Sequence, residues 1–406
     1  MIVIVGAGPA GIAAARRARE CGAEVTIIDD NPAPGGQIWR GEGRKLAGAV
    51  RFVPSARVVS GDRAAKTLLL ETEHGAEELP YDHLILATGS RELFLPFPGW
   101  TLPGIFGVGG LQALAKSGLP LRRKRILVAG SGPLLLAGAA YFRSRGAEVV
   151  LIAEQAGLSS IARFGAQLLR HRAKLVQAMQ LQLSLLGVPA MHGCWVEAAE
   201  GQDRVERVHL LQGSRTFSEQ VDYAAIAWGL VPNDELAKLL GCDSLAGTGG
   251  VDVSTVEGEI AGFIAAGRED LARKLYPRRD KALRFAKAVD ETFALRPELR
   301  SLPQPETIVC RCEDVTLERL QPCASFRAAK LPTRCGMGPC QGRICGPAAR
   351  FLFGWQDDSI RPPVLPARIG TLSTLPTHKQ RSDEFPEIRS ACTTAPLPRS
   401  PWSPSG

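Results

Sequence analysis

The sequence predicts an α/β protein with two Rossmann-like dinucleotide-binding units and a small C-terminal α-rich domain organised around cysteines. Three observations predict it. Glycines at Gly6, Gly8 and Gly11 join an apolar β-type run to a small-residue helix. The same strand–turn–helix arrangement recurs from Arg125. Paired cysteines, Cys310-x-Cys312 and Cys340-x4-Cys345, stand near the C-terminus.

Composition sets the limits. The chain has 406 residues, 45% hydrophobic and 22% charged, the mix of a soluble globular protein long enough for two or three domains. Net charge is +8, but the basic residues are scattered and aromatics are only 6%, without interleaving, which argues against nucleic acid. "MIVIVGAGPAGIAAA" lacks a positive leader, so no targeting segment is expected. The longest apolar stretch, 127–142, carries Gly130, Gly132 and Pro133 and falls short of the ~20 residues a membrane helix needs, so no transmembrane segment is expected. Ten cysteines without a signal peptide point to metal or redox use rather than a secreted disulfide framework.

Residues 2–5, "IVIV", read as a buried parallel strand, 12–20 as a helix, and "AEVTIID" as the next strand, ending at Asp29. In such a βαβ unit the glycines have separate tasks. Gly6 makes the tight turn, Gly8 admits a pyrophosphate to the backbone, and Gly11 lets the helix pack close to the strand. Pro9 and Ala10 lie where helix amides begin to face phosphates. Asp29, with Asp30 as the alternative, is placed to accept from ribose hydroxyls.

The second unit, "RILVAGSGPLLLAGAAYFRSRGAEVVLIAEQ", departs twice. Leu135 stands at the third glycine position, and Ala153 at the position of Asp29. Glu154, one residue later, is expected to face the other way on its strand. The fold signal is strong, whereas NAD(P) binding here is doubtful. Between the units an apolar strand runs into Ala87-Thr88-Gly89. Residues 161–186 read as one long helix, "VEGEIAGFIAA" as a small-residue helix, and 280–295 as an amphipathic helix. The expected domains are 1–110 with a shortened second part at 220–275, an inserted unit at 111–219, a helical linker at 276–303, the cysteine domain at 304–355, and a disordered tail at 356–406 containing Cys392.

A family resemblance rests on "GAGPAGIAAA", "PGGQIWR", "LILATGS", "GLVPN" and "CRCEDVT…TRCGMGPCQGRICGP". The chain resembles the two-dinucleotide-domain flavoprotein reductases, and within them the α-type subunits of hydrogen cyanide synthase, opine oxidase, and proline and hydroxyproline dehydrogenases, over about residues 1–355. The resemblance implies FAD in the first unit, held by Gly6, Gly8, Pro9, Ala10, Gly11, Asp29 and Asp30, by Gly36, Gln37 and Ile38, and by Ala87, Thr88 and Gly89. It implies a cytoplasmic α subunit, peripheral to the inner membrane only through its partners. Those partners are an FAD-containing, amino-acid-oxidising subunit together with a small iron–sulfur one. One departure stands out. The family's late flavin motif ends in Ala-Ala-Gly-Asp, whereas here "FIAAGRED" places Arg268 where the acid belongs, and the segment between Asp243 and Phe263 looks shortened.

The cysteine segment resembles the [2Fe–2S] domain of the bacterioferritin-associated ferredoxin type, which implies Cys310, Cys312, Cys340 and Cys345 as ligands. Glycines 336, 338, 342 and 346 would let backbone N–H groups reach cluster sulfur, and Arg311, Arg334 and Arg343 would oppose its charge. The family pattern reads "TRAGMG", so Cys335 stands in an alanine position and reads as the spare, or as a ligand in place of Cys340 or Cys345. A zinc site and reduced structural cysteines are the alternatives; zinc more often takes C-x2-C knuckles. Cys21, Cys194, Cys242 and Cys323 read as small core residues.

No cysteine pair follows "GGQIWR", so a disulfide-reductase cycle has no dithiol to reduce. No close-spaced histidines, nucleophile elbow or acid/base carboxylate pair is present, as expected where cofactors carry the chemistry. The implied function is an electron-transferring subunit of a heteromeric dehydrogenase or oxidase acting on proline, hydroxyproline, an opine or glycine. An NAD(P)H-dependent flavin oxidoreductase and a non-catalytic iron–sulfur scaffold without flavin are its rivals.

Overall fold

The computed structural model describes residues 1–46, 48–169, 171–242, 249–356 and 360–374. The chain forms two compact units, one of residues 1–91, 232–286 and 359–406, the other of 92–231 and 287–358. The exchange points therefore lie at 91/92 and 231/232 rather than at 110/111 and 219/220. The reason is the strand Ile105–Gly107, which pairs in parallel with Tyr223–Ala227 inside the second unit's sheet.

The first unit holds a four-stranded parallel sheet in the order Arg51–Val53, Val25–Ile28, Ile2–Val5, His83–Leu86. Ile2–Val5 and Val25–Ile28 are buried along their whole length, as parallel strands covered on both faces must be. The helix Pro9–Glu20 opens on a proline, which has no N–H to lose at a helix start. Its alanines form a thin face against the helix Val251–Ala265. Cβ atoms on Gly258 and Gly262 would come within 2.1 Å of the Ala10 carbonyl and 2.3 Å of the Ala14 carbonyl. Between these glycines Glu259 is 2% exposed and accepts from Arg16 and Arg17 at 2.8 Å, and from Arg278. A buried carboxylate held by three guanidiniums has its charge answered from several sides. "FIAA" is the end of this helix, and Arg268 in the following turn pairs with Asp270 at 3.0 Å.

A three-stranded antiparallel meander, Arg57–Asp62, Thr67–Thr72 and Gly75–Pro80, completes the unit's sheets. Residues 360–374 dock on it, which corrects the expectation of disorder for that part of the tail. Val364 N–H donates to Val59 O at 2.8 Å. Glu71, buried in the meander, accepts from Arg368 N–H at 2.6 Å and from the Thr371 hydroxyl at 2.8 Å. Without those donors its carboxylate would be desolvated and unpaired. Residues 375–406, Cys392 included, lie outside the described residues, as do 243–248 of the segment expected to be shortened.

The second unit holds a five-stranded parallel sheet in the order Ala190–His192, Glu148–Glu154, Arg125–Gly130, Tyr223–Ala227, Ile105–Gly107, and a meander of Cys194–Glu200, Arg207–Gln212 and Arg215–Gln220. The long helix expected over 161–186 is two, Leu158–Leu168 and Arg172–Ser184; the second buries none of its side chains. The amphipathic helix expected at 280–295 runs instead as Glu269–Thr292, with Pro277 inside it, so no linker begins at 276. The cysteine segment has two short strands, Ile308–Cys310 and Val315–Thr316, and the helices Leu317–Leu320, Phe326–Thr333 and Cys345–Phe353. The Trp100 indole donates to Ile308 O at 2.6 Å, and Phe351 packs with Leu299, so this segment is part of the second unit's core.

The glycine contacts set a prediction. Gly258→Ala forces a methyl into the Ala10 backbone and should destabilise the protein by about 1–3 kcal/mol. Gly165→Ala, in the helix Leu158–Leu168 with nothing near its Cβ position, should instead stabilise by up to ~1 kcal/mol. Denaturant midpoints measure both; a neutral Gly258→Ala would contradict the close approach.

Candidate functional site

The first glycine loop has the form of a phosphate cradle. Gly6 lies at φ +106°, and a Cβ there would strike the Ala87 carbonyl at 2.2 Å. A Cβ on Gly11 would strike Gly6 O at 1.8 Å. These two contacts seat the helix start against the strand ends. Gly8 differs, because a Cβ there would meet nothing within 4 Å. The loop is therefore tight behind and open in front, where Pro9 and Ala10 begin the helix. Residues Gly35 and Gly36 lie on this loop: Gly35 N–H donates to Ala7 O at 2.8 Å, and a Cβ on Gly36 would come within 2.9 Å of the Gly8 Cα. Gln37 and Ile38 follow, both exposed.

Asp29 is 7% exposed and accepts from the Ala7 N–H and from Asn31 N–H and Nδ2 at 2.8 and 2.7 Å. Asp30 is exposed and lines a cleft of about 520 Å3 with Arg57, Glu71 and Arg368. The Ala87-Thr88-Gly89 turn is locked by Asn233, a residue that its sequence motif does not mark as a site residue. Thr88 Oγ1 donates to Asn233 O at 2.7 Å, Asn233 Nδ2 returns to Thr88 O at 2.9 Å, and Asn233 N–H donates to Gly89 O at 3.0 Å. Asn233 belongs to the "GLVPN" turn, whose recurrence of the strand-to-turn pattern was the available signal. Open front, helix amides and a buried acid at the second strand's end together fit a dinucleotide carrying a pyrophosphate.

The second unit repeats this plan and corrects one expectation. Gly130, at φ +132°, stands over the Ala227 carbonyl as Gly6 stands over Ala87. Glu154 does not face away. Ala129 pairs with Ala153 and Gly130 with Glu154, while Val5 pairs with Ile28, so Glu154 takes the place of Asp29. A β-bulge is the cause: Ile126 pairs with Val149 but Leu127 with Leu151, and the extra residue shifts every later side chain by one. Glu154 accepts from Gly132 N–H at 2.7 Å and Ala156 N–H at 2.8 Å. Burial pushes its carboxyl up to about 7 despite those donors. Leu135, at the third glycine position, is fully buried.

Five cysteines converge at the C-terminal segment. The sulfurs of Cys310, Cys335 and Cys345 all lie within 4.8 Å of one another, and all three residues are buried. Cys312, exposed, hydrogen-bonds Cys340 and feels the charge of Cys310. The structure thus brings Cys335 into the buried trio, and Cys312 and Cys340 together at its edge. Cys335 and Cys345 thiols, then Gly336 and Glu313 N–H groups, donate to Cys310 and hold it far below the thiol range, at about 2. Sharing that one charge pushes Cys335 up to about 12 and Cys345 upward as well. A Cβ on Gly338 would strike the Cys312 Cβ at 2.3 Å, so only glycine passes there. Arg334 pairs with Glu313 at 2.7 Å and Arg343 donates to Cys340 O at 3.3 Å and Gln341 Oε1 at 3.1 Å. Convergent thiols with amides aimed at sulfur form a donor set for soft metal, and four thiolates would satisfy a [2Fe–2S] cluster. Cys194 is an inert core thiol by contrast, fully buried and pushed up to about 11 by that burial.

Comparison with known proteins adds a relationship. Residues 1–255 match the family model described as pyridine nucleotide-disulphide oxidoreductase. The hydrogen cyanide synthase subunit HcnB of Pseudomonas protegens is 28% identical over 84% of this chain and 89% of its own. An opine oxidase subunit of Rhizobium meliloti is 28% identical over 92% of this chain and 98% of its own. Among solved structures, L-proline dehydrogenase from P. horikoshii superposes with a TM-score of 0.61 at 17% identity, over 91% of this chain and 78% of that one, a likeness of fold.

Glu154 gives a pH prediction. Its folded value, about 7, lies above its ordinary 4.5, so the folded state holds the proton more tightly than the unfolded chain. Stability is then highest below pH 4.5 for this group, falls as pH rises from 4.5 to 7, and is level above. The full span is on the order of a few kcal/mol. Thermal midpoints across that window should fall with rising pH in the wild type, with a flatter profile in Glu154→Gln.

Proposed function

The chain belongs to the pyridine nucleotide-disulphide oxidoreductase family, and we propose that it works there as the electron-transferring α subunit of a heteromeric amino-acid or opine dehydrogenase or oxidase. It is an FAD-dependent oxidoreductase by that membership. The substrate class under this reading is proline, hydroxyproline, an opine or glycine. The partners are an amino-acid-oxidising flavoprotein subunit with a small iron–sulfur one. Both relatives are named as subunits, and this chain spans most of their length.

One observation carries the reading: a single chain holds both a glycine loop open at Gly8 and a convergence of five cysteines. The sequence has no cysteine between Cys21 and Cys194, so the first unit has no dithiol beside its "PGGQIWR" loop. When bound, a flavin accepts electrons in pairs and a thiolate-held iron–sulfur cluster passes them singly. The chain's own residues supply the placement. Gly6 and Gly11 fix the helix start, Gly8 leaves room for the pyrophosphate, and Asp29 stands ready at the second strand's end. Asn233 fixes the backbone of Thr88 and Gly89. Cys310 and Cys345, with two of Cys312, Cys335 and Cys340, would hold the cluster, and the Gly336 and Glu313 amides would donate to sulfur.

A second reading has its own observation. The turn after Ala265, where the family motif has an acid, offers Arg268 bonded to Asp270. A flavin-free iron–sulfur scaffold would keep the fold without that acid.

Purification without air separates the two. The proposal expects about one flavin and two irons per chain. Cys310→Ser should lose the iron and its visible absorption, while Cys323→Ser should retain both. Iron without flavin would select the scaffold, and a colourless, zinc-loaded chain would sink both readings. Cys335→Ser reports the ligand set: retained iron leaves Cys312 and Cys340 to complete it.

A further inference from the structure

The position that admits a dinucleotide is open in one unit and covered in the other. Gly8 and Gly132 correspond, each two residues after a glycine whose Cβ would strike a facing carbonyl, Ala87 O for Gly6 and Ala227 O for Gly130. At Gly8 a Cβ meets nothing within 4 Å, but at Gly132 the Phe293 side chain stands 3.9 Å away. We propose that the strap Phe293–Arg296 fills the phosphate-binding mouth of the second dinucleotide fold and shuts nicotinamide dinucleotides out of it.

The strap is held by side chains of the glycine turn and of the residue after Glu154. Ser131 Oγ donates to Phe293 O at 2.8 Å. The Gln155 amide, fully buried, donates to Ser131 Oγ at 2.9 Å and Ala294 O at 3.1 Å, and its oxygen accepts from Arg296 N–H at 3.3 Å. Phe164 meets the Phe293 ring edge-on at 5.5 Å and 74°. Arg296 lies over Trp195 at 5.2 Å, and Leu299, fully buried, anchors the chain just beyond. Glu154 has already taken the Gly132 N–H. A dinucleotide must therefore break the Ser131 and Gln155 bonds and expel an aromatic ring before its pyrophosphate reaches the loop. Buried donors that are already satisfied resist such exchange, because the strap carbonyls would be left unpaired. Glu154 itself does not exclude the ligand. It stands where Asp29 stands in the first unit, placed to accept from a ribose 2′-hydroxyl, so removing the strap should favour NADH over NADPH.

Equilibrium dialysis of the purified full chain against NADH and NADPH tests this. The wild type should show no saturable binding tighter than ~1 mM, the upper end of ordinary enzyme affinities. The double variant Phe293→Ala, Gln155→Ala should bind NADH at least about tenfold more tightly, and more tightly than NADPH, the discrimination a buried polar partner gives. One equivalent of NADH bound by the wild type at micromolar concentration, or no gain in the double variant, would overturn the proposal. If the variant does not fold, hydrogen exchange on the wild type decides. Amides of Ser131, Gly132, Leu134 and Leu135 should be unaltered by millimolar NADH, and new protection there counts against the strap. NADH taken up by a flavin-free first loop would show as protection around Gly8 rather than around Gly132, so hydrogen exchange separates the two loops, and failure of the strap leaves the proposed function standing.

Discussion

Close backbone approach is the constraint on which the first unit depends. The helix Pro9–Glu20 lies against the strand end through Gly11 and against the helix Val251–Ala265 through Gly258 and Gly262. No side chain could be inserted at any of these three places without moving main chain. Because the helix is gripped from both sides, its N-terminal amides have a fixed direction, which is what a pyrophosphate requires. Glu259 and its three arginines sit at the same junction, so charge pairing and steric closeness reinforce one another.

The two units show how one plan diverges. Each has the glycine over a facing carbonyl, the turn, the helix and an acid at the end of the second strand. They differ in what surrounds the middle glycine. Open space at Gly8 suits a ligand, and an aromatic side chain at Gly132 suits a fold kept for its architecture.

Much of this is legible in the chain. The separate tasks of Gly6, Gly8 and Gly11 follow from their spacing, and the structure shows the tight turn at Gly6, the close approach at Gly11 and open space at Gly8. Glu154 is misplaced by strand periodicity because that periodicity assumes an unbroken ladder, and a bulge at Val150 is invisible to counting. The helix expected over 161–186 carries a steady apolar period across two helices, one ending at Leu168 and the next starting at Arg172. Docking of residues 360–374 rests on long-range partners, Val59 and Glu71, which composition does not reveal. The cysteine spacing indicates a soft-metal site but leaves Cys335 either spare or an alternate ligand, whereas folding places its sulfur inside the buried trio. Asn233 and the strap escape sequence reasoning for a shared reason: each acts through main-chain groups of a segment distant in sequence.

The first unit is drawn from three separated stretches, 1–91, 232–286 and 359–406. Its sheet leaves the ribosome early, yet the helix that covers the alanine face of Pro9–Glu20 emerges only after residue 250, and Arg368 and Thr371, which answer Glu71, come later still. During synthesis that alanine face must wait uncovered while the intervening residues 92–231 can already assemble their own sheet. Completion of the first unit therefore waits on its C-terminal stretches, and a nascent chain stalled before residue 250 would display a half-built nucleotide fold for chaperones to find.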